Sequence, residues 1–115
     1  MSRIAIFFHG VFFLNGQFAP HAFNVIQSIM GTMQASGLTD TADEIYCCTN
    51  GDEESAPFAE TVYPDKAVKI YHGNECKTEI RTVMEMQKRM AGRKGWKVFY
   101  AHAKGASHDP GEKMI

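Results

Sequence analysis

Arg3 to Gly10 reads RIAIFFHG, and the fold turns on how this stretch is read. Six residues from Arg3 to Phe8 carry five apolar side chains in succession, with no alternation of polar and apolar positions. A short continuous apolar run of this kind fits a strand buried on both faces, as in a parallel sheet. A polar residue and a glycine, His9-Gly10, close it. The same pattern returns three times. Glu44 to Thr49 (EIYCCT) leads into Asn50-Gly51-Asp52, and Ala67 to Tyr71 (AVKIY) leads into His72-Gly73. Lys97 to Ala101 (KVFYA) leads into His102, with Lys104-Gly105 just beyond.

Helical periodicity fills two of the intervals. Pro20 suits the first turn of a helix. Phe23, Ile26, Met30 and Met33 follow on one face, and Gly37 is a C-terminal stop, which predicts a helix over Pro20 to Ser36. From Glu75 to Ala91 the residues Cys76, Ile80, Val83, Met84 and Met90 predict a second helix with an apolar face, with Asn74 as its N-cap. Val11 to Ala19 reads as a glycine-containing loop. The polar stretch Glu53 to Pro64 has room for a short helix near Ala56 to Thr61.

Strands alternating with helices imply βαβ units, and right-handed crossovers place the helices on the faces of the sheet. The expectation is therefore an α/β fold: a three-layer sandwich with a mostly parallel sheet of about four strands, Rossmann-like. One domain spans residues 1–106, and 107–115 form an irregular tail.

Composition narrows the function classes. A chain of 115 residues with 44% hydrophobic and 22% charged residues suits one globular domain. A formal net charge of −1 gives no global field for nucleic acid or an anionic membrane. No apolar run approaches the ~20 residues that span a bilayer. The N-terminal run also has a signal-peptide reading, but His9-Gly10 interrupts it and no small-x-small cleavage site follows. Cys47, Cys48 and Cys76 are an odd set with two adjacent members, so reduced thiols in a cytoplasmic protein are expected rather than a disulfide framework. In a strand Cys47 and Cys48 point to opposite faces.

Parallel sheets bind ligands at the carboxyl ends of their strands. That rule gathers His9, Gly10, Asn50, Asp52, His72, Gly73, His102, Lys104 and Gly105 along one edge as a candidate site. Glycines there let a ligand approach the backbone. The competing reading is that glycine makes the βα turn and the polar residues are simply solvated. Three histidines also suit zinc in residue type, yet no H-x-x-x-H or C-x-x-C spacing supports a metal site. Asp52 and Asp109 are candidates for a divalent cation beside a diphosphate. P-loop, G-x-G-x-x-G and G-x-S-x-G motifs are absent. Cys76, at a helix start, reads either as a reactive thiol or as part of the core.

Lys97 to His108 reads KVFYAHAKGASH and resembles the Y-x-H-[TA]-K-G-x-S-H signature of a poorly characterised bacterial and viral family that looks like glycosyltransferases. ADEIYCCTNGDEES (Ala42 to Ser55), IYHGNEC (Ile70 to Cys76) and the helix with Glu79 and Arg81 are similar to that family too, so the resemblance runs from about Gly37 onward. It implies a nucleotide-sugar-transferase-like fold whose N-terminal half binds the nucleotide. The metal-binding D-x-D usual after the fourth strand is replaced here by His102-Ala103-Lys104-Gly105. The resemblance then implies Lys104 as the charge facing a diphosphate and His102 as a general acid–base group. Members of that family extend well past the Lys-Gly motif, which implies a binding half-domain not fully active alone. A non-catalytic binding module is the second expectation. A third is a homodimeric assembly module, because a small domain buries only ~60–65% of its chain's surface. With eight Phe and seven Met in the chain, Phe12, Phe13 and Phe18 are the residues to watch for an exposed patch.

Overall fold

The structure, a computed structural model, describes residues 3–14, 16–50, 53–72 and 79–102. In chain order the elements are β1 (Ile4–Val11), β2 (Phe13–Leu14), β3 (Gln17–Phe18), α1 (Pro20–Ala35), α2 (Leu38–Thr41) and β4 (Glu44–Asn50). A 3-10 turn at Glu53–Ser55 then leads into α3 (Ala56–Val62), β5 (Val68–Tyr71), α4 (Ile80–Met90) and β6 (Lys97–His102). Strands β5, β4, β1 and β6 lie side by side in that order, and every neighbouring pair is parallel. The protein is thus α/β, with a Rossmann-like three-layer arrangement.

Chain direction explains the layers. The path β1 to β4 to β5 steps one way across the sheet, and the path from β5 to β6 reverses over two strands. Right-handed crossovers in opposite directions lie on opposite faces. Accordingly Ile26 and Met30 of α1 and Ala59 and Val62 of α3 pack with Ile6, Phe8, Ile45 and Cys47. Across the sheet, Met86 and Met90 of α4 and Tyr100 of β6 pack against Ala5, Phe7 and Tyr46. Cys47 and Cys48, both buried, lie in adjacent positions of β4 and so face opposite ways, as the alternation expects.

β1 is the central strand expected from RIAIFF, and Ala5 to Phe8 are completely buried. It runs three residues further than the apolar run. Gly10 and Val11 stay in register with Thr49 and Asn50, and His9 pairs with both Cys48 and His102. Backbone pairing on both sides outweighs the polar side chain as a strand terminator. Pro20 opens α1 as expected, and Gly37, at φ 82°, ends the turn after it in the left-handed region. α2, unforeseen in the sequence, is a single turn following that glycine.

Two expectations are corrected. The loop Val11 to Ala19 contains a small hairpin, in which Phe13 pairs with Phe18. Phe12 is fully buried, and Phe13 and Phe18 pack with Phe23 and Phe58 at ring-centroid distances of 4.3–5.9 Å. These phenylalanines therefore extend the core instead of forming an exposed patch. The inner face of α4 is also rotated from the expected one. Ile80 and Met84 are exposed, whereas Thr82 is fully buried and Met86 and Met90 face the sheet. Thr82 can be buried because its hydroxyl has partners at the sheet edge (below), so the inward stripe runs at i, i+4 and i+8 from a polar residue. Among the described residues the helix starts at Ile80, preceded by Glu79. The expected cap Asn74 and the residue Cys76 lie outside the described residues.

Gly10 has a packing role. A Cβ built there would lie 2.6 Å from the Tyr63 hydroxyl, 3.0 Å from Phe8 and 3.1 Å from Ile26. The space that a ligand was expected to need is thus taken, on that face, by core side chains. Gly10→Ala is expected to destabilise the fold by about 1–3 kcal/mol through overpacking. Urea denaturation measures this, and a loss below about 0.5 kcal/mol would mean that Tyr63 moves aside freely.

Candidate functional site

Period-two alternation selects one face of the sheet at its carboxyl edge. His9 pairs with Cys48 on one side and His102 on the other, and paired residues of a parallel ladder point the same way. Asn50 lies two residues beyond Cys48. His72 lies two beyond Ile70, the partner of Cys48, and its N–H donates to the Thr49 carbonyl at 2.8 Å. All four expected side chains therefore lie on the face that α4 covers. The sheet order reverses between β1 and β6, so His9 and His102 flank the switch point, where open α/β sheets form their ligand crevice.

The first turn of α4 connects these groups. Thr82 Oγ1 lies 2.7 Å from His9 Nδ1 and 3.4 Å from His72 Nε2. Asn50 Nδ2 lies 3.4 Å from His9 Nε2. On the other side of the switch point Glu79 Oε2 accepts the Tyr100 hydroxyl proton at 2.5 Å and lies 3.4 Å from His102 Nδ1. The rings of Tyr100 and His102 stack with centroids 5.9 Å apart. Arg81 Nη1 donates to the His72 carbonyl at 3.1 Å.

Electrostatics divide the histidines. His9 is buried, and desolvation pushes its pKa down to about 4 despite the opposing charge of Glu79. His72 is lowered too, by burial first and by Arg81 second. Both rings are neutral at pH 7. His102 and Glu79 are more open to solvent, with 37% and 42% of their side chains exposed. Burial pushes the Cys48 thiol up to about 11 and the Cys47 thiol to about 12, so neither is a nucleophile at neutral pH.

Of the expected site residues, His9, Gly10, Asn50, His72 and His102 are described, and four of them converge, Gly10 facing the other way. Asp52, Gly73, Lys104 and Gly105 lie outside the described residues, as does Asp109. Among the described residues no group of three or more His, Cys, Asp or Glu side chains is placed to hold a metal ion. His9, for example, has both ring nitrogens committed to protein partners.

No family model, curated protein or solved structure matches the chain.

Sequence reasoning missed two contributors. Thr82 gave no signal beyond being a polar residue between apolar ones on a helix. Tyr100 was visible only as part of a strand, although its spacing of two from His102 puts both on one face. No helix among the described residues is long and apolar enough to cross a membrane. A separate depression of about 360 Å³, lined by Thr39, Asp40, Asp65 and Lys66, lies at the opposite edge, where chains enter β4 and β5. Lys66 there already donates to the Ala42 carbonyl at 2.9 Å.

Proposed function

We propose that this domain binds a sugar nucleotide, or a related phosphorylated small molecule, at the carboxyl edge of its sheet. The observation that carries the reading is the pairing of His9 with His102 across the switch point, with Asn50 and His72 on the same face. Convergence of four polar side chains from four strands is not required by turn chemistry, which would leave them separately solvated. The likeness of KVFYAHAKGASH to a glycosyltransferase-like signature supports the same ligand class. In this reading Lys104 and Gly105, with Asp52 and Gly73, bind the phosphorylated part. His102 does acid–base work, held by Glu79.

Thermal unfolding across a panel of nucleotides and sugar nucleotides, with and without Mn²⁺, tests this. A ligand at 100 times its Kd stabilises by about 2.7 kcal/mol, a rise of several degrees for a domain of this size. The rise is expected for one nucleotide class and is lost in His102→Ala and Lys104→Ala. A panel without any shift removes the reading.

A second reading has its own observation. Strand β6 is an edge among the described residues, and Val98 and Phe99, on its two opposite faces, are 41% and 44% exposed. Such an edge suits pairing with a second copy. A homodimer by light scattering, broken by Phe99→Lys, is the outcome that favours assembly.

A further inference from the structure

Hydrogen-bond polarity in the crevice can be read from one end. The Asn50 amide nitrogen is a donor only, and it faces His9 Nε2 at 3.4 Å. His9 Nε2 therefore carries a lone pair, and the proton of the neutral ring is on Nδ1. That N–H donates to Thr82 Oγ1 at 2.7 Å. The Thr82 hydroxyl proton is then shared by His72 Nε2, 3.4 Å away, and the Cys48 sulfur, its other side-chain partner. With that proton on the His72 side, His72 accepts at Nε2 and keeps its own proton on Nδ1. Glu79, an acceptor only, faces His102 Nδ1. The neutral His102 ring is therefore protonated at Nδ1 and presents a lone pair at Nε2.

Among the described residues this hydrogen-bonded series leaves three functions for a ligand: the His72 Nδ1–H as donor, and His102 Nε2 and the Glu79 carboxylate as acceptors. Among the described residues the charged groups acting on His9 and His72 are Glu79 and Glu85, both carboxylates, and Arg81, one N–H of which donates to the His72 carbonyl. A phosphate oxygen only accepts, so of these three functions it matches the His72 N–H alone and meets acceptors at the other two. A hydroxyl group both donates and accepts, and it matches the mixed set. An acidic side chain on ribose hydroxyls is the usual arrangement at such a crevice.

We propose that the described part of the crevice takes the hydroxyl groups of a neutral sugar or ribose and not a phosphate, with Glu79 and Thr82 as positioning residues that fix the three imidazoles. The proposal deepens the ligand reading above and rests on it. It assigns any phosphate to Lys104, as that reading does.

The test uses the full chain with ¹⁵N-labelled histidine. Long-range ¹⁵N–¹H spectra report the tautomer of each ring. All three are expected as Nδ1–H, with His9 and His72 changed in Thr82→Val and restored in Thr82→Ser. A purely structural threonine would not show that rescue at the ring nitrogens. Titration with uridine and with methyl glucoside is expected to move the His72 and His102 signals, and inorganic pyrophosphate is expected to leave them in place. Glu79→Gln is expected to weaken the neutral ligands roughly tenfold or more, as loss of a charged acceptor does. Rings found as Nε2–H overturn the proposal. So does a response to pyrophosphate without one to the neutral compounds, although the sugar-nucleotide reading survives that result. Silence toward both probes overturns it as well, and the thermal panel with intact sugar nucleotides judges the broader reading separately.

Discussion

Phe12→Ala is expected to lower the unfolding free energy by about 3–5 kcal/mol, the range for deleting a fully buried phenylalanine. Phe12 follows β1 directly, is completely buried, and lies among Phe23, Phe58 and Tyr63 at centroid distances of 5.8–6.3 Å. Its carbonyl also accepts the Ala19 N–H at 2.8 Å, which closes the hairpin loop against the start of α1. One ring thus ties the exit of β1 to α1 and α3. Total stability for a domain of this size is on the order of 6–17 kcal/mol, so the loss is a large share of it. A fall in Tm of roughly 10–20 °C is expected by calorimetry. Collapse of the neighbouring rings into the space would shrink the effect, but Phe58 and Phe23 are already in contact with Phe13 and Phe18 and have little freedom to move. A loss below about 1 kcal/mol would show that these rings are not close-packed. The variant also separates stability from the site, because Phe12 touches none of the four polar residues at the crevice in any hydrogen bond.

The fold was legible because β1 is apolar on both faces, and a strand of that kind belongs to the centre of a parallel sheet. The edge strands were legible from the repeated strand, polar residue and glycine pattern, although Val68 and Val98 are exposed. The phenylalanines after β1 were misread for a physical reason. Hydrophobic residues in a loop give no period, so sequence cannot say whether the loop folds back on the core or stands away from it. The rotation of α4 was hidden in a similar way. Ile80 and Met84 are apolar at helical spacing and still face outward, while Thr82 faces inward. Hydrophobicity alone ranks these the wrong way round, because it values the threonine hydroxyl without the two imidazoles that satisfy it.

The candidate site was legible to the extent that strand alternation fixes direction. Positions 9, 50, 72 and 102 lie at strand ends in matching parity, and the register then places them on one face. The connection through Thr82 and Glu79 was not legible, since it depends on how the β5–α4 crossover sets the helix against the sheet. That setting is a tertiary fact. Once α4 packs through Met86 and Met90, its first turn must lie over the carboxyl edge, and the residues it carries there become the partners of the histidines.

Acid should unfold this protein through His9 before it does so through the carboxylates. His9 is neutral when folded, because burial holds its pKa down at about 4, against the ordinary 6.5 of an unfolded chain. Between these values the unfolded state binds a proton that the folded state refuses. Stability is therefore constant above pH 6.5 as far as this group is concerned, falls as pH drops from 6.5 toward 4, and levels off below. The full span is on the order of 3 kcal/mol, with a limiting slope of about 1.4 kcal/mol per pH unit. His72, lowered for the same reason, adds a loss of the same sign. Among the described residues the groups that face His9 are Glu79, His72, His102, Thr82 and Asn50, and of these only the Glu79 carboxylate favours the protonated ring. Glu44 is held below its ordinary 4.5 by the Tyr46 hydroxyl and Arg93, so its protonation costs stability only at lower pH. The interval from pH 6.5 to 5 thus isolates the histidines. Urea unfolding at half-unit steps of pH is expected to show the slope in the wild type and a clearly shallower one in His9→Gln, which retains a polar side chain without titrating. A wild-type stability that stays flat from pH 7 to 5 would mean that His9 is solvated, and the hydrogen-bonded chain from Asn50 to His72 would then be lost with it.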